Sequence, residues 1–359
     1  MVNQAETRHY SILAIGFAKW WGCDPRALAQ SFRKLGHVLI EVDAEDFMPW
    51  RWNSVPSRAM RRLCAPMLIS DYNRAVEIRA RASVFDFVLV FKGMYLKEST
   101  LAVLRALGKP VYNFYPDVSY WDHGPFIPRA LKYYDCVFTT KSFHGKNEIE
   151  VFKIKEMIHT RHGFDPEVHR PIKLSRSQKD YYDCDVSFVG CWSPEKEQII
   201  SSILVHRNNI KIIIYGIGWQ YARRGFKKAL GKNLRPSAFG DELAIIYNAS
   251  KVNLGLLSTA VGKPDISDKT TARTFQIPAS GSAMLHQDTS EVRTYFVPEK
   301  EIMLFSGESD LLIKLDRMLS DNFFRESIKL AGYQRCINDS YDYSAAAKTI
   351  VKKFELVPF

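Results

Sequence analysis

Short apolar runs rich in β-branched and aromatic residues alternate with helix-like stretches along this chain, and the alternation starts over past its middle. Strands that alternate with helices argue a parallel sheet with helices on both faces. In the first half the strand-like runs are Ser11–Phe17, His37–Asp43, Phe85–Phe91, Pro110–Phe114, Cys136–Thr140 and Met157–Arg161. Helical patterns at Pro25–Leu35, Ala65–Ala82, Glu98–Leu107 and Pro125–Tyr134 separate several of them. The second set of strands is Asp185–Val189, Ile210–Tyr215, Val252–Leu257, Ala283–His286 and Ile302–Phe305. Its helices fall near Glu195–His206, Asp241–Ala249, Thr271–Ala279, Ser309–Leu319 and Asn322–Asn338, with a last one at Ser344–Leu356. The polar, turn-rich stretch Pro171–Asp180 reads as a linker. The pattern predicts an α/β chain of two doubly wound domains.

The 359 residues and an apolar fraction of 46% suffice for two cores. Six cysteines are scattered, without a Cys-x-x-Cys pair or a Cys/His metal spacing. Cys136 and Cys191 sit in apolar strand contexts and read as small hydrophobes, which suits a reducing cytoplasm. The polar start Met1–Tyr10 does not read as a signal peptide, and no apolar run nears the roughly 18 residues of a membrane span. A cytoplasmic protein is expected, with peripheral membrane association left open. Lys plus Arg number 50 against 39 Asp plus Glu, a net charge of +11. That balance suggests an anionic partner: nucleotide phosphates, an anionic lipid surface or nucleic acid. The cations concentrate at Arg51–Arg62, Arg74–Arg81 and Arg223–Arg235, with Trp50, Trp52, Tyr72, Trp219 and Tyr221 among them. Each cluster alone reads more readily as a solvated helix face; together they leave a membrane-surface or nucleic-acid approach open.

One stretch carries chemistry. In Thr271-Ala-Arg-Thr-Phe-Gln-Ile-Pro-Ala-Ser-Gly281 a helix opens after the turn-rich Gly262–Lys269. Free N–H groups and the helix dipole at such a start favour an anion. Lys269 and Arg273 add fixed charge, and a guanidinium fork suits two diphosphate oxygens at once. The same stretch also reads as a plain helix-to-strand turn. Elsewhere, Gly190 ends the Asp185–Val189 strand where open α/β sheets bind ligands. Gly216-Ile-Gly218-Trp219 is a weak glycine motif after the next strand. Asp117, Asp122 and His123 follow the Pro110–Phe114 strand and can act as a base or bind hydroxyls.

From Lys109 onward the chain resembles the CgeB-like (spore-protein) glycosyltransferases, relatives of the family-four retaining enzymes. The residues that carry the likeness are Lys109–Asp117, Tyr134–Thr139, His162-Gly-Phe-Asp165 with Pro171, Asp185–Gly190, Ile246–Asn253, Arg273–Gly281, Glu301–Phe305 and Ala331–Arg335. The resemblance implies the GT-B fold, two Rossmann-like domains facing a central cleft. Residues 1–170 would form the acceptor-side domain, joined by the last helix 344–359, and residues 171–343 the nucleotide-sugar domain. It implies transfer of a sugar from a nucleotide-diphosphate sugar to a glycan, lipid-linked or other hydroxyl acceptor, as in polysaccharide biosynthesis. Retention, no metal and no cofactor beyond the donor are implied too. Gly16, Gly190, Gly216, Trp219, Lys269, Thr270, Thr271, Arg273 and Gln276 would bind the donor. Asp268 would face its sugar. Asp117, Asp268 and Arg273 are the expected catalytic residues. Lys19, Trp20, Trp21, Asp122 and His123 are expected to bind the acceptor, and Asp165 to shape an interdomain turn. Gln276 departs from the family, whose usual residue there is Glu. Two rivals stand beside this reading: a DNA-base-modifying glycosyltransferase, suggested by the basic clusters, and a non-catalytic nucleotide-sugar binder, suggested by Asp268 and Gln276.

Overall fold

A computed structural model describes residues 8–18, 21–48, 55–260 and 263–356. The chain divides into two compact units, Met1–Arg161 with Tyr343–Phe359, and His162–Asp342. The first unit runs β1 (Ser11–Ile15), α1 (Asp24–Lys34), β2 (Val38–Val42), α2 (Val55–Ala82), β3 (Phe87–Phe91), α3 (Glu98–Ala106), β4 (Val111–Tyr115), α4 (Phe126–Ala130), β5 (Cys136–Thr139), α5 (Lys146–Phe152) and β6 (Met157–His159). Its six strands are parallel in the order β2-β1-β3-β4-β5-β6. Successive residues of β1 feed opposite cores. Leu13 and Ile15 join Tyr72, Val76, Val88 and Val90, while Ile12 and Ala14 join Leu28, Phe32, Phe87 and Leu89. A strand buried on both faces reads as an unbroken apolar run, and this is why these strands stand out in the sequence.

The second unit runs α6 (Arg176–Tyr182), β7 (Cys184–Val189), α7 (Pro194–His206), β8 (Ile212–Tyr215), α8 (Arg224–Leu230), β9 (Leu234–Arg235), α9 (Asp241–Ala249), β10 (Ser250–Gly255), β11 (Thr259–Ala260), β12 (Lys263–Ser267), α10 (Ala272–Ala279), β13 (Met284–Gln287), α11 (Val292–Tyr295), β14 (Met303–Phe305), α12 (Glu308–Ser320) and α13 (Asn322–Asn338). Its sheet is parallel in the order β14-β13-β10-β7-β8-β9. The last helix, α14 (Ser344–Glu355), belongs to the first unit. There Tyr343, Ala346, Ala347, Ile350 and Phe354 share a core with Phe32 and Phe87.

Several expectations need correction. Part of the expected linker is helix α6. Ser175 caps it by accepting from the Gln178 N–H, and the Gln178 side chain accepts from the Ser175 N–H. The expected loop at 262–269 contains β12, which pairs antiparallel with β11. Cys191 is exposed, unlike the buried Cys136. No described helix is long and apolar enough to cross a membrane.

Both sheets reverse direction once. In the first, the chain moves from β1 to β2 and then returns to place β3 on the other side of β1. In the second, β8 and β9 extend from one side of β7 before β10 pairs on the other. Loops leaving two such strands diverge to opposite faces and open a crevice at their carboxyl ends. Each unit thus has one predicted ligand position, at β1/β3 and at β7/β10.

Candidate functional site

In the second unit the crevice is lined by the turns after β7 and β10 and by the start of α10. Arg273, second residue of α10, turns back across the strand ends. Its guanidinium donates to the Leu256 carbonyl at 2.7 Å and lies 5.3 Å from the centroid of the Phe188 ring. A Cβ at Gly190 would meet Arg273 Nη1 at 3.0 Å and the Phe188 ring at 2.7 Å, so only glycine leaves this space open. The second cation is Lys196 on α7, 3% exposed, which sequence reading missed. Its ammonium donates to Ser258 Oγ at 2.8 Å and to the Cys191 carbonyl at 3.3 Å. Burial, and then the neighbouring Arg273 charge, push the Lys196 ammonium down to about 8, while Cys191 and Asp268 pull the other way. Neither cation forms an ion pair among the described residues, and Arg273 Nε is buried without a hydrogen-bond partner. Two like charges held together in a half-dry crevice describe a site that gains from an anion.

The loop beneath them is pinned. The Asp268 N–H donates to the Ser258 carbonyl at 2.8 Å, Thr289 Oγ1 donates to the Lys269 carbonyl at 2.8 Å, and the Thr270 hydroxyl donates to Glu291 Oε1 at 2.9 Å. Buried Asp268 contributes its charge to the environment of Lys196. It does not cap α10; Thr271 occupies that position. The Thr271 N–H, expected to face phosphate, donates instead to Thr274 Oγ1 at 2.9 Å. Thr274 Oγ1 in turn meets His286 Nε2 at 2.9 Å. Burial pushes fully enclosed His286 down to about 4, so at neutral pH it serves α10 as a neutral hydrogen-bonding post. Gln276 is buried three residues after Arg273, and that spacing places both on one helix face.

Trp219 and Gly216 differ from expectation. Trp219 is 4% exposed, donates from Nε1 to the Gly190 carbonyl at 3.0 Å, and stacks on Phe226. It is part of the core that supports Gly190 rather than a platform for a base. A Cβ at Gly216 would lie 2.1 Å from the Gly190 carbonyl oxygen, so this glycine permits contact between two loops and not contact with a ligand.

In the first unit, Gly16 follows β1 with φ +76°, and a Cβ there would meet the Phe91 carbonyl at 2.9 Å. Lys92 follows β3 with φ +59°, a strained position for a side-chain-bearing residue. Its ammonium pairs with Asp117 Oδ2 at 2.7 Å, and His123 Nε2 meets the same oxygen at 2.8 Å. Burial alone would raise the Asp117 carboxyl, but Lys92 and His123 outweigh it and hold the group far below the ordinary range. Asp117 is thus held as a carboxylate, engaged by both Lys92 and His123. Asp24, at the start of α1, joins this cluster. Burial pushes it up to about 6, and the Asp117 charge adds to that, against Lys92, the nearby Tyr343 hydroxyl and Lys141. Asp24, Lys92 and Lys141 had no motif to announce them. Asp122 lies on the exposed turn before His123, and Trp21 is 42% exposed under the Arg26 guanidinium. Lys19 and Trp20 lie outside the described residues. Asp165 is buried, accepting from the Glu167 N–H in a local turn. Among the described residues no group of three His, Cys, Asp or Glu is placed to hold a metal ion.

Residues 196–352 match the model of a family described as glycosyl transferase-like. No curated protein matches the sequence. Among solved structures, sucrose-phosphate synthase from Thermosynechococcus elongatus aligns with a TM-score of 0.64 at 13% identity, over 96% of this chain and 98% of that one. A glycosyltransferase from Rickettsia africae aligns at 0.63 and 12% identity, over 97% and 98%. Anabaena HepE, solved with UDP-glucose, aligns at 0.61 and 12% identity, over 97% and 100%. Likeness at these identities is one of fold, and it establishes the two Rossmann-like sheets as those of GT-B glycosyltransferase structures.

Proposed function

We propose that this protein is a glycosyltransferase that takes its sugar from a nucleotide-diphosphate donor. The observation that carries the reading is the convergence of Lys196 and Arg273, neither of them in an ion pair among the described residues, on Gly190 at the switch point of the second sheet. The difficult step in such a transfer is departure of the diphosphate from the anomeric carbon. Fixed cations aimed at the leaving oxygens stabilise that developing charge without reorganising. Asp268, whose charge acts on Lys196, is assigned to the sugar, and Gln276 to the ribose hydroxyls. In the first unit the Lys92–Asp117–His123 arrangement is assigned the acceptor hydroxyl, with His123 as the proton acceptor. Retention and independence of metal are carried by the resemblance to the family-four enzymes. HepE was solved with UDP-glucose, which makes UDP-glucose the first donor to try.

Titration calorimetry with UDP-glucose, UDP and uridine tests the donor site. Binding of both diphosphates, with much weaker binding of uridine, is the expected result. Equal binding of all three, or of none across a panel of nucleotide sugars, removes the reading. Binding without hydrolysis or transfer to any of a set of hydroxyl acceptors favours a nucleotide-sugar binder, the reading that Gln276 supports.

A further inference from the structure

Trp121 is the most exposed tryptophan among the described residues, at 60%. A large aromatic ring left in solvent adds little to a core, yet the turn that carries this one is held firmly from within. The Tyr115 hydroxyl donates to the Ser119 carbonyl at 2.6 Å, and the Thr140 hydroxyl donates to the Pro116 carbonyl at 3.0 Å. His144 Nε2 meets the Val118 carbonyl at 2.9 Å. All three side chains are buried. Within the turn, the Trp121 N–H donates to Ser119 Oγ at 3.2 Å, and the Gly124 N–H donates to the Trp121 carbonyl at 3.3 Å. The indole is propped by the Phe152 ring, 5.8 Å away at 54°. The other exposed tryptophan of this unit, Trp21, differs: the Arg26 guanidinium lies over its ring at 4.3 Å. Trp121 is therefore a fixed aromatic surface open to a ligand.

Its neighbours select the ligand. Exposed Asp122 and partly exposed His123 follow in the same turn. Two peptide steps separate Trp121 from His123, at most about 7 Å between Cα atoms. An indole face carries the negative side of the π quadrupole and attracts polarised C–H groups. A carboxylate accepts from hydroxyls, and an imidazole can accept or donate. A sugar ring offers both partners, C–H groups on its face and hydroxyls on its rim. A phosphate finds less here. Asp122 is itself an anion, Lys92 is already matched by Asp117, and Lys141 is only 3% exposed. We propose that Trp121 is a stacking platform for a sugar residue of the acceptor, with Asp122 and His123 at the rim of that ring, so that the acceptor is a saccharide rather than a lipid or protein hydroxyl. The word acceptor rests on the transfer reading; saccharide binding at Trp121 does not.

Saturation-transfer NMR of the full chain with maltotriose, cellotriose, mannotriose and chitotriose, without nucleotide, tests it. At least one trisaccharide should bind, with the strongest saturation on the C–H protons of a single ring. Trp121→Ala should weaken that binding about tenfold or more, and Trp121→Tyr should keep it within about threefold. Titrations of UDP-glucose into the same samples should be unchanged. The side chain is at the surface, so both variants should unfold at the wild-type temperature. A readout that needs no truncation runs beside them: the indole N–H signal that Trp121→Tyr removes should shift in the wild type as trisaccharide is added. Binding of none of these saccharides overturns the proposal, as does equal binding by wild type and Trp121→Ala, or an unmoved indole signal. If a nucleotide sugar is then still bound and turned over, the transfer reading survives without the platform. Should a trisaccharide bind at Trp121 and no nucleotide sugar bind at all, the platform stands and the transfer reading falls. Co-flotation with phosphatidylcholine vesicles that Trp121→Ala abolishes, with the trisaccharides unbound, makes the indole a membrane anchor and overturns the saccharide assignment.

Discussion

The two units place charge at the same topological position and treat it in opposite ways. At the β7/β10 switch point two cations crowd each other without a carboxylate in an ion pair, and one of them is held near a pKa of 8. At the β1/β3 switch point Lys92 is matched by Asp117, which also holds His123, and Asp24 lies close by. The first arrangement sets two cations beside one buried carboxylate, Asp268, a balance that favours an added anion. The second is nearly self-neutral and offers oriented donors and acceptors, which suit a neutral polar group such as a sugar hydroxyl. Equal folds therefore do not carry equal sites, and the difference lies in which charges have partners.

The sharpest way to break this comparison is at His123. If it takes the acceptor proton, His123→Gln should lower turnover by about 10²-fold or more while donor affinity stays within about twofold. Steady-state kinetics beside calorimetry separates the two, and an equal loss in both would place His123 with the donor instead. Arg273→Ala comes next. Loss of a charged hydrogen-bonding partner costs about 1.5–3 kcal/mol, so UDP affinity should fall roughly 10- to 150-fold while uridine is unaffected. Equal losses for UDP and uridine would make Arg273 structural.

Lys196→Met is subtler. Its depressed pKa means that the folded state gives up the proton more readily than the unfolded chain. The buried charge therefore costs stability below about pH 8, and that cost is relieved as pH rises from about 8 toward 10.5. The unligated variant should be at least as stable as wild type at pH 7 while binding UDP about tenfold more weakly. Wild-type affinity should decline as pH passes 8, and the variant should lose that slope. A variant that melts lower and keeps the slope would show that Lys196 serves the fold. The smallest effect is expected at Gln276. Gln276→Glu should keep UDP binding, and Gln276→Leu should cost about 1–3 kcal/mol if the ribose hydroxyls pair there. Equal wild-type affinity for UDP and its 2′,3′-dideoxy analogue would end that assignment.

Strands buried on both faces were plain in the sequence because their apolar runs have nothing else to explain them. What decided the site was less visible. Lys196 lies in Trp192-Ser-Pro-Glu-Lys-Glu197, which reads as a solvated helix start; only the fold brings it beneath Ser258. A buried lysine carries no local mark. Trp219 was misread for the opposite reason. An aromatic after a glycine-rich turn suggests a platform, but the two-loop contact at Gly216 turns its indole inward onto Phe226. Asp117 and His123 were legible as a pair of polar residues after a strand. That Asp117 is already engaged was not, because that depends on Lys92, 25 positions earlier in the numbering. The short pair β11 and β12 escaped notice because turn-forming residues dominate it.

The position of α14 bears on how the molecule is made. The second unit is one unbroken stretch, His162–Asp342, whereas the first needs Tyr343–Phe359 to complete it. On the ribosome the sheet of the first unit emerges before the second unit, yet the surface meant for Ala346, Ala347, Ile350 and Phe354 stays open until α14 has followed the whole second unit out. The second unit can close meanwhile. Translation that stops at Asp342 would release a complete second unit beside a first one with an uncovered apolar groove. Such a product is exposed to aggregation and to quality-control proteases. A stop codon placed just before α14 is thus more damaging to the earlier unit of the nascent chain than to the one just made.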